Sequence, residues 1–166
     1  MVYNRNIVKL AKDDLIALQN DEKPKVGVGV IVVKVIDGKP HIMLHQRKKE
    51  HGNGNWGSGG GHLELGESLM DGAMRELREE AGAQLKVCNV RHLGVYNFTE
   101  QQPEHYVDIS FVADWESGEP QTTESDKATD WQWFDLDNLP SPLFPPVRIY
   151  LEAYKTGKSF FDSKFG

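Results

Sequence analysis

The alternation of hydrophobic and polar positions divides the chain into short segments with different periods. Residues 26–36 are rich in β-branched side chains, a composition typical of a buried strand. Asp37 and Gly38 then form a hairpin turn signal, and residues 41–46 alternate sufficiently to pair with the first strand. Residues 46–61 are first basic and then rich in glycine, so this segment is predicted to be a loop.

The clearest helix is predicted over residues 67–81, where apolar positions recur with a helical period. Ser68 can cap its amino terminus, and Gly82 stands where a helix end favours a left-handed residue. The apolar arc consists of Leu69, Met70, Ala73, Met74, Leu77 and Ala81.

Later segments return to strand patterns and end in a second helix. Strands are predicted over residues 85–90, 93–98, 105–115 and 130–136. Four prolines between positions 140 and 146 precede a closing helix over residues 147–154. Strands on both sides of a central helix, with another helix late in the chain, indicate a mixed α+β or α/β sandwich.

Three regions are expected along the chain. Residues 1–25 form an N-terminal appendage with a short helical pattern, residues 26–157 form the main domain, and residues 158–166 form a C-terminal tail. A length of 166 residues is sufficient for one domain with its own hydrophobic core.

Composition narrows the possible roles. The net charge is −6 and no long basic stripe occurs, which disfavours a protein that binds a nucleic-acid backbone. No apolar run reaches the roughly 20 residues needed to cross a bilayer, so no membrane association is expected. Cys88 is the single cysteine and suits a reducing compartment, so a cytoplasmic location is expected. A small anionic substrate stays possible, because a divalent metal can reverse the local sign of an acidic site.

Three acids stand close together on the predicted helix. At about 100° per residue, Glu76, Glu79 and Glu80 project within one sector beside the apolar face. Carboxylate oxygens are hard ligands, and beside a partly buried apolar surface they suit Mg²⁺ or Mn²⁺. The alternative for this run by itself is a solvated acidic face, stabilised by an i,i+4 pair between Arg75 and Glu79.

Taken together, the glycine-rich loop and the acidic helix resemble the Nudix box, a glycine followed by glutamates and an arginine at fixed spacing. The box covers residues 61–83, and a less specific resemblance extends over residues 26–154. It implies an α/β/α sandwich with a mixed central sheet flanked by the box helix and a C-terminal helix. The matching positions are Gly61, Glu67, Arg75, Glu76, Leu77, Glu79, Glu80 and Gly82.

Two positions depart from the family pattern. Ala83 is smaller than the aliphatic residue that usually ends the box. Gly59 stands where relatives usually carry a proline, so the loop before the box is expected to be less rigid.

The resemblance implies a metal-dependent hydrolase that cleaves a diphosphate linkage in a nucleotide. Glu76, Glu79 and Glu80 would bind Mg²⁺ or Mn²⁺ together with the carbonyl of Gly60, and Glu79 or Glu80 would also orient or deprotonate the attacking water. Arg75 completes the catalytic set, because it is expected to hold a box glutamate, with Glu67 as the favoured partner. Many relatives add an acid from a loop beyond the box, and the sequence leaves three candidates open. These are Glu100, Glu104 and Asp108.

The resemblance is greatest to the MutT-like branch, which converts nucleoside triphosphates to monophosphates and pyrophosphate. Phe98 and Thr99 occupy the region where ADP-ribose branches commonly carry a proline, which favours a triphosphate. Residues 143–146 lack the acidic pair of some relatives that recognise oxidised purines, which disfavours an 8-oxopurine substrate. The candidate substrate-binding residues are Arg47, Lys48, Gly61, His62, Phe98 and Phe144.

Two other functions stay open at this point. One is hydrolysis of a sugar nucleotide or dinucleotide of the ADP-ribose type, and the other is a non-catalytic nucleotide-sensing module. Because such sensors typically lose box glutamates and every box acid is intact here, the sensor is disfavoured. A homodimer is expected from the family alone, with a small nucleotide rather than a nucleic acid as the partner.

Overall fold

The computed structural model describes residues 23–48, 52–99 and 105–162. The helical pattern predicted within the N-terminal appendage and the candidate acids Glu100 and Glu104 lie outside these residues. Within the described ranges no helix is long and apolar enough to cross a membrane.

The described residues form eight strands and two helices. The strands are β1 (Lys25–Ile36), β2 (Lys39–Gln46), β3 (Trp56–Gly57), β4 (Gly59–His62), β5 (Lys86–Phe98), β6 (Tyr106–Ser117), β7 (Gln132–Asp135) and β8 (Phe160–Asp162). The helices are α1 (Leu69–Ala81), between β4 and β5, and α2 (Pro145–Thr156), between β7 and β8.

The strands make one mixed sheet in the order β3-β2-β1-β6-β5-β8, with β4 also paired to β1 and β7 to β2. The pairs β1–β6 and β5–β8 are parallel, and the other pairs are antiparallel. The sheet lies between the two helices, which confirms the predicted sandwich.

Strand β1 shows why the sheet is covered on both faces. Val28, Val30 and Val32 belong to the core on the α1 side, whereas Ile31 and Val33 belong to the core on the α2 side. A strand buried on both faces is expected to be continuously apolar and β-branched, as this one is. Each fully buried side chain of this kind contributes about 1.5–3 kcal/mol, so burial of β1 stabilises the sheet to which its neighbours are paired.

Helix α1 begins at Leu69, two residues later than predicted, because Ser68 is its cap and accepts a hydrogen bond from the backbone of Asp71 at 3.1 Å. Leu69 and Met70 are 41% and 42% exposed, so the predicted apolar arc is wrong in the first turn. Gly82 ends the helix with φ 84° and ψ 153°, a positive φ without the predicted left-handed helical ψ.

The segment predicted as a loop over residues 46–61 contains two short strands. Strand β4 pairs antiparallel with β1, and Gly60 lies opposite Gly29. A Cβ atom on Gly60 would lie 2.6 Å from the carbonyl oxygen of Val28, so this close approach requires glycine. Glycine lowers intrinsic strand propensity, but backbone pairing with a buried strand outweighs that preference here.

Two further predictions are corrected in the second half of the sheet. Residues 85–90 and 93–98 belong to one strand, β5, which continues through register shifts and a positive φ at Asn89. The predicted tail over residues 158–166 contains β8, which pairs with β5 and is thereby part of the sheet.

Candidate active site

Strand β4 brings its backbone against the acidic face of α1. A Cβ atom on Gly61 would lie 2.3 Å from Oε1 of Glu76, so the carboxylate occupies the space that any other residue would fill. The backbone N–H of Gly60 donates to Oε2 of Glu80 at 3.0 Å. Two box carboxylates therefore lie directly on this glycine strand.

The position that departs from the usual proline is part of the same strand. Gly59 pairs with Val30 of β1, and a Cβ atom there would lie 3.1 Å from Cδ1 of Leu77 on α1. Pairing to the central strand limits the backbone freedom that a glycine in an open loop would have.

Arg75 connects the acids with one another and with the loop that enters α1. Its Nε and Nη2 donate to the two carboxylate oxygens of Glu67 at 3.1 and 2.9 Å, which is the contact predicted for this arginine. Its Nη1 donates to Glu76 at 2.9 Å and to Glu79 at 3.1 Å, and Nη2 also reaches the carbonyl oxygen of His62 at 2.9 Å. The hydrogen bonds from Arg75 lower the pKa of Glu67.

The three box glutamates are brought to one side of α1 but not into one closed cluster. Arg75 lies between Glu76 and Glu79, whereas Glu80 faces the backbone of Gly60. Over the described part of the chain, no three acidic, histidine or cysteine side chains are grouped closely enough to enclose a metal. The donors themselves fit a hard divalent cation, because carboxylate oxygens lie beside the backbone of three consecutive glycines in β4.

A loop that follows β6 crosses the carboxyl end of α1. The backbone N–H of Gln121 donates to the carbonyl of Ala81 at 2.9 Å, and that of Thr123 donates to the carbonyl of Glu80 at 3.3 Å. The hydroxyl of Thr123 also donates to the carbonyl of Glu79. These contacts satisfy carbonyl groups that a helix end leaves without intrahelical partners.

This loop contributes an acid that the sequence interpretation missed. Glu124 lines a small cleft together with Glu80 and Arg47, and it forms an ion pair with Lys127. The signal in the sequence was a polar loop whose length allows it to return to the end of the acidic helix.

A larger cavity of about 180 Å³ lies beside β4 on the side facing α2, and we call it the aromatic cavity. Gly60 and Gly61 form part of its wall and so border both the cavity and the box carboxylates. It brings together five of the six predicted substrate-binding residues and one predicted acid. These are Arg47, Gly61, His62, Phe98, Phe144 and Asp108.

Lys48 is the predicted substrate-binding residue that does not line this cavity. Its Nζ donates to the carbonyl of Ser125 at 2.8 Å, and its backbone N–H donates to the carbonyl of Lys127. Lys48 therefore supports the loop that carries Glu124.

The cationic wall of the aromatic cavity is Arg47, whose guanidinium carbon lies 4.2 Å from the ring centroid of Phe144. Burial lowers the pKa of Arg47, while the negative charge of Glu80 opposes that effect. An arginine stays charged at neutral pH under these conditions. Arg47 and Phe144 together supply one positive group and one aromatic ring at the side of the cavity.

Asp108 lies in the wall of the cavity, and its hydrogen bond goes to α2 rather than to the box helix. Its Oδ1 accepts from the hydroxyl of Tyr150 at 2.7 Å. Burial raises the pKa of Asp108 to about 6, and the hydrogen bond from Tyr150 acts in the opposite direction. The residue keeps a partly exposed surface because it lines the cavity.

The mixed sheet between two helices, with acids of one helix seated on a glycine strand, defines a hydrolase of the Nudix class. The chain belongs to the Nudix family, because the NUDIX domain matches residues 25–154. Nudix hydrolases generally need divalent cations, in agreement with the donor chemistry of this site.

Named relatives support this assignment. The chain is 34% identical to the ADP-ribose pyrophosphatase of Methanocaldococcus jannaschii, over 89% of this chain and 82% of that protein. It is 37% identical to the oxidized purine nucleoside triphosphate hydrolase of Mus musculus, over 72% of this chain and 74% of that protein. The crystal structure of a MutT Nudix hydrolase from Burkholderia pseudomallei is 35% identical, with a TM-score of 0.71, and covers 80% of this chain and 98% of that one.

Proposed function

We propose that this enzyme hydrolyses a nucleoside triphosphate to the monophosphate and pyrophosphate, with Mg²⁺ or Mn²⁺ as the metal. The observation that carries the proposal is the shared position of Gly60 and Gly61, which contact the box carboxylates on one side and the aromatic cavity on the other. A nucleoside in the cavity would therefore have its phosphates beside Glu76 and Glu80.

The reaction breaks one phosphorus–oxygen anhydride bond and forms another bond from water to phosphorus. When bound, a divalent cation neutralises phosphate charge and lowers the pKa of water. We assign Glu76, Glu79 and Glu80, with the carbonyl of Gly60, to hold it. Glu79 or Glu80 also orients the water and accepts its proton.

Two arginines have separate roles in this proposal. Arg75 orients Glu76 and Glu79 through its two hydrogen bonds from Nη1, and its bidentate contact with Glu67 holds the guanidinium in place. Arg47 lines the aromatic cavity and the cleft beside Glu80, so it is placed to bind a phosphate oxygen.

We assign the additional acid of this site to Glu124, a residue that is not among those predicted from the sequence. Glu124 and Glu80 line the same cleft, and the loop that carries Glu124 is hydrogen-bonded to the end of α1. The variant Glu124→Gln tests this assignment. The quantity to measure is the Mg²⁺ concentration that gives half of the maximal rate.

The names of the relatives support two substrate classes. The mouse relative is a nucleoside triphosphate hydrolase, in agreement with the triphosphate proposal. The archaeal relative is an ADP-ribose pyrophosphatase and matches more of this chain, so ADP-ribose is the second candidate. Phe98 and Thr99, where ADP-ribose branches commonly carry a proline, favour the first.

The experiment is a substrate panel with the full chain and Mg²⁺ or Mn²⁺, with products separated by ion-exchange chromatography. The panel contains GTP, ATP, 8-oxo-dGTP, a sugar nucleotide, a dinucleotide and ADP-ribose. Release of pyrophosphate and a nucleoside monophosphate, stopped by EDTA, is the expected result. Turnover of ADP-ribose alone would establish the second candidate, and no turnover of any compound would overturn both.

A further inference from the structure

We propose that Asp108 selects the base of the substrate by accepting hydrogen bonds from two adjacent N–H groups, the pattern of a guanine-type base. This inference rests on the proposed hydrolysis of a nucleotide bound in the aromatic cavity. It concerns the far wall of that cavity, away from the box helix.

One oxygen of Asp108 is already engaged, and the other faces a glycine. The hydroxyl of Tyr150 donates to Oδ1, whereas a Cβ atom on Gly27 would lie 2.8 Å from Oδ2. Gly27 and Asp108 are paired in the β1–β6 register, and both line the aromatic cavity. The carboxylate therefore fills the space that a side chain on Gly27 would take, and it is partly exposed where it lines the cavity.

The carboxylate is held by three elements of the fold. Asp108 is paired with Gly27 of β1 and with Tyr96 of β5, and Tyr150 comes from α2. Tyr150 is 3% exposed, and its ring packs against that of Tyr96 at 5.4 Å. A group held in this way loses little further freedom when a ligand binds.

An ion pair does not explain the buried position of this acid. In the part of the chain that the structure describes, no lysine or arginine forms a salt bridge with Asp108. Burial of a carboxylate without a cation opposes folding. An ionised carboxylate has about four acceptor sites, so two adjacent N–H donors of a ligand can bond to Oδ2 and to the site on Oδ1 that Tyr150 leaves available.

The chemistry of the carboxylate discriminates between purines. Guanine presents adjacent donors at N1 and N2, whereas adenine presents an acceptor at N1 beside its amino group. An ionised carboxylate only accepts, so it pairs with the first pattern and is opposed by the acceptor in the second. The rings of Phe98 and Tyr106 also line the cavity and provide apolar surface for a planar base.

The test compares kcat/KM for GTP, ITP and ATP between the unmodified enzyme and D108N, with Mg²⁺. The unmodified enzyme should prefer GTP to ATP about 10- to 100-fold, with ITP between them because it has N1–H and lacks the N2 amino group. In D108N the amide can donate to N1 of adenine, so the ratio of GTP to ATP should fall about 10-fold or more. The matched control is D114N on the same strand, where the exposed acid pairs with Arg91, and its ratio should be unchanged.

Two outcomes separate this inference from the proposed function. If the unmodified enzyme hydrolyses nucleotides and D108N keeps the same GTP to ATP ratio, Asp108 does not select the base and the proposed function stands. If no nucleotide is hydrolysed, calorimetric titration with GMP and AMP still decides the matter. Tighter binding of GMP that is lost in D108N supports the inference, and equal binding of both by the unmodified enzyme overturns it.

Discussion

The two sides of strand β4 differ in how their charges are arranged and in how far apart in the chain their residues lie. On the α1 side, Arg75 donates hydrogen bonds to three carboxylates, all within residues 67–79. On the α2 side, the aromatic cavity combines residues from positions 27 to 150 and contains a partly buried acid, Asp108. The first side depends on the period of one helix, whereas the second exists only once the sheet has formed.

The α1 side is therefore expected to carry out the hydrolysis, and the α2 side is expected to recognise the substrate. Charged groups close in sequence can be positioned by one helix, because residues three and four apart are neighbours on its surface. A cavity that surrounds a planar ligand needs walls from several directions, so its residues come from distant segments. Substitutions on the α1 side should therefore reduce the rate for every substrate, and those on the α2 side should change the choice of substrate.

The largest expected effect is at the box acids. Replacement of Glu79 or Glu80 by Gln removes a charged oxygen from the site and should lower kcat about 1,000-fold, close to the loss seen when one preorganised catalytic group is removed. Steady-state kinetics with saturating Mg²⁺ measure this. The control is Glu152→Gln, an exposed acid on α2, which should keep its activity. Unchanged rates in both box variants would contradict the assignment of the active site.

A methyl group on the glycine strand should have the next largest effect. In Gly61→Ala the new Cβ atom would meet the carboxylate of Glu76 at 2.3 Å, so that side chain must move. A displacement of about 1 Å can lower the rate about 100-fold. Gly38→Ala is the control, because its Cβ atom would meet nothing within 4 Å, although its φ of 77° lowers stability. Equal kcat values for the two variants would show that Glu76 tolerates displacement.

A smaller effect is expected at Arg75, which donates hydrogen bonds to Glu67, Glu76 and Glu79. Arg75→Lys keeps the charge, but a lysine cannot bridge Glu67, Glu76 and Glu79 in fixed directions. The affinity for Mg²⁺ should fall about 10- to 100-fold, measured from the dependence of rate on Mg²⁺ concentration. Arg78→Lys, exposed on the same helix, should leave that dependence as it is.

The smallest effect concerns stability on the α2 side. The pKa of Asp108 is about 6 in the folded protein, above its usual value of 3.8, so folding favours the protonated form. The stability from this group is fully present below about pH 4 and is lost as pH rises through 6. The amide of Asp108→Asn does not titrate. At pH 7 to 8 the melting temperature of this variant should therefore exceed that of the unmodified protein by roughly a few degrees.

The difference in melting temperature between Asp108→Asn and the unmodified protein should shrink towards pH 4. Thermal unfolding followed by circular dichroism measures it. Asp114→Asn provides a control of opposite sign, because the hydrogen bonds from Arg91 lower the pKa of Asp114. That acid stabilises the protein above its unfolded pKa and loses this contribution as pH falls. A difference for Asp108→Asn that does not vary with pH would mean that burial does not raise the pKa of this acid.

The parts of the fold predicted well are those with a strong local pattern. Strand β1 and the hairpin at Asp37 and Gly38 follow from β-branched residues and turn chemistry, and Ser68 caps α1 as expected. Strand β4 was missed because its glycines carry no strand signal of their own. Strand β8 was missed for a different reason, since its three residues are too few to show an alternating pattern and it forms by pairing with β5.

The sequence by itself determined the family, the acidic helix and the pairing of Arg75 with Glu67, because these depend on fixed spacing within one short segment. Only the tertiary structure decided which acids outside the box helix lie beside the box or the cavity. Among the described residues, it placed Glu124 in a cleft with Glu80 and Asp108 in the wall of the aromatic cavity. The physical reason is that sequence spacing sets distances along a helix, whereas contacts between a loop, a sheet and a second helix depend on how these elements pack together.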